Sequence, residues 1–328
     1  MPAKSLALKI ALPLVCCSFL IFSFSNARGA REDYPLRPIK LIIAFSPGGL
    51  SDLTWRSLAD PIRKVLGQPL VIENKPGGAG SIGYTMVAAS KPDGYTVGYV
   101  PLGSFINNYL MYDVNYDPLK NFTFICGVSR FGESIIVRES APWKTWNELL
   151  EYSKKHPGEV RVGYSGAAST NTVATKWIIK NFGLKWNEVT FHGDAEGITA
   201  LLGGHIDVFP GSGAQNMLVK DGRARMLLAL TVEPIPGFPD VPNFKKLYGK
   251  NVMNGSGLMA PAGLPEKIVE NLERAVYEGT QTQGFIKTQE KMNALPFWRT
   301  SKQFTEDIQG ALKTSRELLK DLDMLKKK

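Results

Sequence analysis

The sequence predicts an α/β fold with two lobes, each built around an open, mostly parallel sheet. Short and nearly wholly apolar runs alternate with segments whose apolar residues recur at helical spacing. Turns rich in glycine, serine or proline separate these segments, and the alternation occurs in two successive blocks. The chain has 328 residues, which is enough for two domains of ordinary size.

The first block opens with a buried strand. Ile39 to Phe45 is almost wholly apolar, as expected for a parallel strand that is covered on both faces. After a turn at 46–49, residues 50–66 repeat apolar side chains at helical spacing, and Gly67 ends this helix. The block is predicted to continue with a strand at 69–73, a helix starting at 81 and running to 89, and a strand at 95–100.

The second block begins near Ser134 and has the same alternation. Its strands are predicted at 135–137, 160–164, 187–191, 206–209 and 226–231, with helices at 146–156, at 170–181 and up to 202. Two further helices, at 266–277 and 301–325, are expected to pack back on the first lobe. The predicted lobes are residues 31–132 with 256–328, and residues 133–255.

The first 27 residues have the features of an export signal. Lys4 and Lys9 precede an apolar run from Ile10 to Phe24, and small residues follow it, so we expect cleavage after Ala27. Cleavage after Ala30 and a retained membrane anchor are the alternatives. Export predicts a periplasmic location for the mature protein.

The composition excludes several functional classes. The formal net charge is +9, but the basic residues are spread along the chain except for the tail at 326–328, so we expect no nucleic-acid partner and only a mild attraction for anions. Cleavage leaves Cys126 alone, which allows no internal disulfide. His156, His192 and His205 lack metal-ligand spacing, and neither a metal nor a cofactor is expected.

Three turns between strands and helices are candidate anion sites. They are Ser46-Pro47-Gly48-Gly49, Ser165 to Thr170, and Gly193-Asp194-Ala195. Ligands of such sheets bind at the carboxyl ends of the strands, where the first N–H groups of the helices point outward. Glycine lets the backbone approach an anion closely, and serine supplies a hydroxyl donor. For any one turn, an ordinary structural role remains the alternative.

Two other motifs have weaker contexts. Gly78 to Gly83 matches the spacing of a dinucleotide-binding loop, but the turn before it is long and no acidic residue follows at the required distance. Gly163 to Ala167 resembles a nucleophile elbow around Ser165 with its last glycine replaced, and no histidine is obviously placed as a base. A serine hydrolase that uses Ser165 is kept as an alternative.

An ordered set of short motifs spans the mature chain and resembles the Bug family, the substrate-binding receptors of tripartite tricarboxylate transporters. The motifs are Tyr34-Pro35-Leu36-Arg37-Pro38-Ile39, Phe45-Ser46-Pro47-Gly48-Gly49 with Asp52, Leu66-Gly67-Gln68-Pro69, Glu73-Asn74-Lys75-Pro76-Gly77, Pro92-Asp93-Gly94-Tyr95-Thr96, Tyr116-Asp117-Pro118, Pro157-Gly158, Gly203-Gly204 with Asp207, and Ala260-Pro261-Ala262-Gly263.

The resemblance implies a type II periplasmic binding protein fold, in which two Rossmann-like lobes close on a central ligand cleft. It also implies a monomeric receptor, not an enzyme, that captures a small organic carboxylate and delivers it to the membrane components of a transporter. A receptor that passes the signal to a sensor is the alternative. The ligand-binding residues that it implies are Phe45, Ser46, Gly48, Gly49, Asp52, Ser104, Tyr164, Gly166, Ser169, Thr170, His192, Gly193, Asp194 and Asp207.

The chain departs from the family pattern in the second lobe. Tyr164, Ala168 and Thr172 stand at positions where the family is small or polar, and Phe191 lies in a segment that also differs. If these side chains line the cleft, they predict a ligand less polar than citrate, with an aromatic or short acyl part. A tryptophan common in the family is replaced by Gly255.

Overall fold

The structure is a computed structural model, and it describes residues 34–252, 254–292 and 294–327. The predicted export signal at residues 1–27 lies outside these residues. In chain order the strands are β1 (Ile39–Ile43), β2 (Leu70–Asn74), β3 (Thr96–Pro101), β4 (Phe122–Phe131), β5 (Ser134–Arg138), β6 (Arg161–Tyr164), β7 (Asn187–Thr190), β8 (Val208–Gly211), β9 (Ala224–Ala229), β10 (Ser256–Pro261) and β11 (Ala294–Arg299).

Helices connect most of these strands. In chain order they are α1 (Leu50–Leu66), α2 (Ser81–Ala88), α3 (Leu102–Met111), α4 (Trp146–Lys155), α5 (Thr170–Asn181), α6 (Asp194–Leu202), α7 (Asn216–Lys220), α8 (Phe244–Tyr248), α9 (Glu266–Thr280), α10 (Gln283–Lys291) and α11 (Ser301–Asp321). Within the part of the chain that the structure describes, no helix is both long and apolar enough to cross a membrane.

The first lobe is built on a six-stranded sheet with the order β11-β4-β10-β3-β1-β2. Strand β1 of this sheet has apolar side chains on both faces because helices pack on both faces. Leu41 packs with Trp55 and Leu58 of α1, whereas Ile42 points to the opposite face, in a cluster with Tyr84 and Val87 of α2. Helices therefore cover both faces, as the continuous apolar run predicts.

The second lobe is built on a five-stranded sheet with the order β7-β6-β8-β5-β9. Val162 of β6 belongs to a core cluster with Val173 and Ile178 of α5. On the other side of the sheet, Phe209 of β8 packs in a cluster with Leu201 of α6. The two-lobed α/β architecture of the fold prediction is thus confirmed. The predicted lobe boundaries at 132/133 and 255/256 remain a prediction.

Both sheets are mixed, and the expectation of mostly parallel sheets was wrong in this detail. β10 is antiparallel to β3 and β4, and β5 is antiparallel to β8 and β9. The crossings between the lobes explain the direction. β10 enters the first sheet from the second lobe, and β5 enters the second sheet from the first lobe directly after β4. Each of the two strands therefore starts at the edge that faces the other lobe and runs away from it, opposite in direction to its neighbours.

Candidate functional site

The loop after β1 is fixed by a carboxylate from its own helix. Asp52, in the first turn of α1, accepts hydrogen bonds from the Gly48 backbone N–H at 2.9 Å and from Arg56 Nε at 2.8 Å. Burial by itself would raise the pKa of Asp52, but the hydrogen bonds from Arg56 and Gly48 outweigh it and hold the pKa below its ordinary value. Asp52 therefore braces the loop, and Gly48 supplies the positive φ of 80° that the turn requires.

The same loop leaves other polar groups open. Ser46 and Gly49 are exposed, and Gly49 precedes α1 without a side chain that caps the helix. Asn74 holds the loop from the neighbouring strand, donating from Nδ2 to the Phe45 carbonyl oxygen at 3.0 Å. The first N–H groups of α1 thus lack a capping side chain at the carboxyl edge of the first sheet.

In the second lobe, the loop after β6 is ordered by hydroxyl groups. Ser169 precedes α5, and its Oγ lies 2.9 Å from the Gly166 carbonyl oxygen, 2.8 Å from Thr172 Oγ1 and 2.5 Å from Asn171 Oδ1. Gly166 has a φ of 153°, a backbone conformation that residues with a side chain rarely adopt. Ser169 makes no capping bond to the helix N–H groups, but Asn171 Oδ1 accepts from the Thr172 N–H at 2.8 Å, so one of the first N–H groups of α5 is occupied.

The loop after β7 is also held by a carboxylate from the helix that follows it. The Asp194 carboxylate at the start of α6 accepts hydrogen bonds from the Ser212 backbone N–H at 3.0 Å and from the Ser212 hydroxyl. Gly193 precedes α6 in an extended conformation, again with no side-chain cap. His192 is exposed, and its backbone N–H donates to Glu196 Oε2 at 3.0 Å.

The helices differ in whether a side chain caps their first turn, and several helices outside the candidate site also lack such a cap. Thr145, Thr282 and Thr300 cap α4, α10 and α11 by accepting from a backbone N–H. The residues that precede α1, α5 and α6 cap none of their N–H groups, although in α5 the Asn171 side chain accepts from the Thr172 N–H. A helix N-terminus carries a partial positive charge, and an uncapped one has free N–H donors for an anion.

The two lobes meet at the starts of α3 and α5. Asn107 Nδ2 donates to the Ala168 carbonyl oxygen at 2.9 Å, and both groups are buried. A β-carbon on Gly103 would lie 1.7 Å from Thr170 Oγ1, so only glycine allows this approach. Ser104 lies next to this contact, with its Oγ 3.5 Å from the Tyr84 hydroxyl oxygen. The strand order also places α3 beside the loop after β1.

Two predicted site residues are not brought together with the others. Tyr164 is 2 % exposed, with its ring beneath Lys176 Nζ at 4.9 Å, and burial raises the pKa of its phenol. Asp207 lies at the opposite edge of the sheet, where β8 begins, and its Oδ1 accepts from Arg161 Nη2 at 2.8 Å. Burial would raise the pKa of Asp207, but the Arg161 hydrogen bonds lower it. It acts there as a brace between strands.

The departures from the family pattern also fall elsewhere. Thr172 is fully buried, and Phe191 packs against Ile206 on the α6 side of the second sheet. Tyr164 is also buried, whereas Phe191 is half-buried and lines an open pocket with Ala195 and Glu196 at the start of α6. The expectation of a less polar ligand stays a prediction.

Sequence reasoning missed Glu133, which lies in the two-residue crossing between β4 and β5. It is 7 % exposed, and its Oε2 has no hydrogen-bond partner among the described residues. Burial raises the pKa of Glu133 to about 8; a hydrogen bond from Asn254 opposes the rise and the charge of Asp194 adds to it. An acidic residue between two apolar strands was the available signal.

The described residues offer little support for the enzyme alternative. No hydrogen bond joins Ser165 to a histidine among them, and His156 is instead paired with Glu159 on the surface. No group of three or more potential protein ligands for a metal occurs in the described ranges. The candidate site is thus a set of N–H groups and hydroxyls on loops of the two lobes, with one buried acid at the crossing.

Comparison with known proteins identifies the family of the chain. Residues 54–324 match the family model described as the tripartite tricarboxylate transporter family receptor. The chain is 30 % identical over 302 residues to a UPF0065 protein of Cupriavidus necator, covering 92 % of each chain. It is 28 % identical to BugT of Bordetella pertussis, covering 83 % of this chain and 85 % of BugT.

A solved structure extends the similarity to the fold. MatC of Rhodopseudomonas palustris with bound malate is 25 % identical, with a TM-score of 0.75, and the match covers 87 % of this chain and 100 % of that one. The family match spans far more than half of the chain, and its family and fold are those of binding proteins. The chain therefore belongs to the tripartite tricarboxylate transporter receptor family.

Proposed function

We propose that this chain is an exported, monomeric receptor that captures a small organic anion and delivers it to the membrane components of a tripartite tricarboxylate transporter. The observation that carries the proposal is that the residues preceding α1, α5 and α6 provide no side-chain cap, which leaves first-turn N–H groups open in each helix. They follow strands whose carboxyl ends lie at the facing edges of the two lobes. Their partial positive charge and free N–H donors suit a carboxylate.

Hydroxyl groups add to the N–H donors. Ser46, Ser104, Ser169 and Thr170 are placed on or beside the three loops and the start of α3. Arginine and lysine are absent from the loops at 45–49, 165–170 and 191–194, so dipoles and hydroxyls would meet the ligand charge. The malate-bound relative supports a carboxylate as the ligand class.

Closure of the lobes completes the proposal. The crossings at 132–133 and 230–255 connect the sheets, and the contact between α3 and α5 holds the lobes together. We infer that ligand binding favours this closed arrangement over an open one, since hinge motion needs only a few residues at element ends.

Calorimetry with matched acids and amides tests the anion site. Malate, succinate and adipate are titrated into the protein at pH 6, and each acid is compared with its diamide. At least one acid is expected to bind about tenfold or more tightly than its amide, because only the acid gains from the helix dipoles. Equal affinities for every acid and its amide would refute the anion site.

Native mass spectrometry of the protein purified from the periplasm provides an independent test. A co-purified small molecule with a carboxyl group is the expected result. Capture of a molecule with no acidic group would contradict the proposed ligand class, and recovery of the protein only from the cytoplasm would contradict export.

A further inference from the structure

Glu133 is a buried acid with an unused oxygen. Its side chain is more than nine-tenths buried, Oε2 has no partner in the described part of the chain, and no lysine or arginine there forms an ion pair with it. A buried carboxylate without a cation is strongly disfavoured, whereas a protonated carboxyl needs only hydrogen bonds. The surroundings therefore favour the neutral form.

The neighbours of Glu133 point the same way. Asp194, from the start of α6, is the titratable group that acts on it; it is itself held by Ser212 and has no described ion pair. Asn254, from the return crossing, is neutral and donates to the Glu133 carboxyl. The Glu133 backbone carbonyl accepts from the Leu230 N–H at 2.8 Å, which ties the residue to the end of β9.

A protonated carboxyl has one O–H donor. Oε2 of Glu133 is buried and has no partner among the described residues, so a proton on this oxygen would provide an unused donor. Ser134 pairs with Gly211, and Ser212 holds Asp194 at the start of α6, so the neighbouring Glu133 lies close to one of the three candidate anion loops. An anionic oxygen of the ligand is the complementary partner, and a neutral O–H donor repels it less than any ionised acid would.

We propose that Glu133 is a ligand-contacting residue whose protonated carboxyl donates a hydrogen bond to an oxygen of the bound organic anion, so that binding requires one proton to stay on Glu133. The inference rests on the proposed function. No bond is made or broken in the ligand, and the proton stays on Glu133. Loss of that proton would place a negative charge against the anion and weaken binding.

The test is the pH dependence of affinity, with malate as the probe and succinate and adipate measured beside it. The dissociation constant of the wild-type protein is expected to be flat from pH 5.5 to 7 and to weaken by up to about tenfold per pH unit above about pH 8, because one proton must be retained. Glu133→Gln is expected to bind severalfold more weakly than the wild type at pH 6 and more tightly at pH 9, since the amide donates at every pH.

Two controls keep the result specific. Glu233→Gln removes an exposed acid of the same kind and should keep the wild-type pH profile. Asp194→Asn removes the negative neighbour of Glu133, so the weakening should begin at a lower pH. This second variant tests the inference even if Glu133→Gln does not fold, which circular dichroism would detect.

The outcomes are distinguishable. If the acids bind and the wild type and Glu133→Gln share one pH profile, the inference is overturned and the proposed function stands. The same holds if wild-type affinity rises with pH, or if ¹³C NMR of the free protein shows that Glu133 is already ionised at pH 6. If no acid of the panel binds the wild type at pH 6, the proposed function fails and the inference falls with it.

Discussion

The two lobes use the same device to fix a binding loop, but they balance its charge differently. In the first lobe, Asp52 holds the Gly48 N–H and is paired with Arg56 one helical turn later. In the second lobe, Asp194 holds Ser212 through its N–H and hydroxyl, and no ion pair to Asp194 occurs among the described residues. Its charge instead acts on another acid, Glu133.

This difference shows where the site depends on its surroundings. In the first-lobe loop, the charge of Asp52 is balanced by Arg56 on the same helix, while Asn74 of the neighbouring strand holds the Phe45 carbonyl oxygen. In the second lobe, two acids share a poorly solvated corner, and one of them must hold a proton for the pair to be tolerated. We therefore expect the second-lobe loop to respond to pH near neutrality and the first-lobe loop to respond only in acid.

The largest expected effect on stability comes from replacing Asp52 and Asp194, the acids that hold the two loops. Asp52→Ala leaves the Gly48 N–H and Arg56 unpaired and should lower the free energy of unfolding by about 3 kcal/mol. Asp194→Ala should cost about 1 kcal/mol, because it loses only the hydrogen bonds from Ser212 and breaks no ion pair among the described residues. Urea unfolding at pH 7 measures both, and equal costs would contradict the contrast.

The Asp52 effect also has a definite pH dependence. Its folded pKa lies below the ordinary value of 3.8, so the contribution to stability is present above that pH and is lost as the pH falls through the folded pKa. The difference between wild type and Asp52→Ala should therefore shrink in acid. A difference that grows toward low pH would show that the carboxylate is not what holds the loop.

Glu133→Gln is the next largest test, and its sign is opposite. The folded pKa of about 8 lies above the ordinary 4.5, so the folded state holds the proton more tightly and wild-type stability falls as pH rises between these values. The variant should be more stable than wild type by about 2 kcal/mol at pH 9, with the advantage vanishing near pH 4. Thermal unfolding over this range measures it; a pH-independent difference would contradict a proton on Glu133.

Gly49→Asp tests whether the first lobe holds the ligand by charge. Gly49 has an ordinary φ of −77°, and a β-carbon there would meet only the Ser46 carbonyl oxygen at 3.6 Å, so a side chain fits. An aspartate caps α1 with its own carboxylate, and malate affinity should fall about tenfold, about 1.4 kcal/mol. Gly49→Asn has nearly the same size without the charge and should lose less; an equal loss would leave steric bulk as the cause.

The smallest expected effect concerns the contact between the lobes. Gly103→Ala places a methyl group against Thr170, so the lobes must stay slightly apart, and malate affinity should fall about fivefold, about 1 kcal/mol. With saturating ligand, small-angle scattering should show a larger radius of gyration for Gly103→Ala than for the wild type. Gly284→Ala is the matched control, since nothing lies near its β-carbon; identical behaviour of the two variants would mean that this contact does not limit closure.

Much of the fold was predictable where local patterns were strong. The helix at 50–66 was predicted with the bounds that α1 has, because apolar spacing and a terminal glycine mark both ends. α3, α10 and β11 were not predicted. α3 follows β3 without a turn residue between them, and β11 includes Pro296, which disfavours a strand except at an edge, where β11 lies.

The candidate site divides in the same way. The loops at 46–49, 165–170 and 193–195 were identified from their glycine and serine residues, and these segments do precede helices in the structure. Tyr164 was placed in the cleft because it stands at a position of the family motif that the resemblance assigns to the cleft. Strand alternation and the packing of α5 turn it into the core instead.

The sequence by itself determined the interactions that need only spacing along the chain. Asp52 reaches Arg56 because residues four apart on a helix are neighbours, and it reaches Gly48 because that residue lies in the turn directly before the same helix. Only the tertiary structure decided that Glu133 is buried beside Asp194, and that Gly103 touches Thr170. Those contacts join residues more than sixty positions apart, and burial depends on how distant elements pack, which no local pattern encodes.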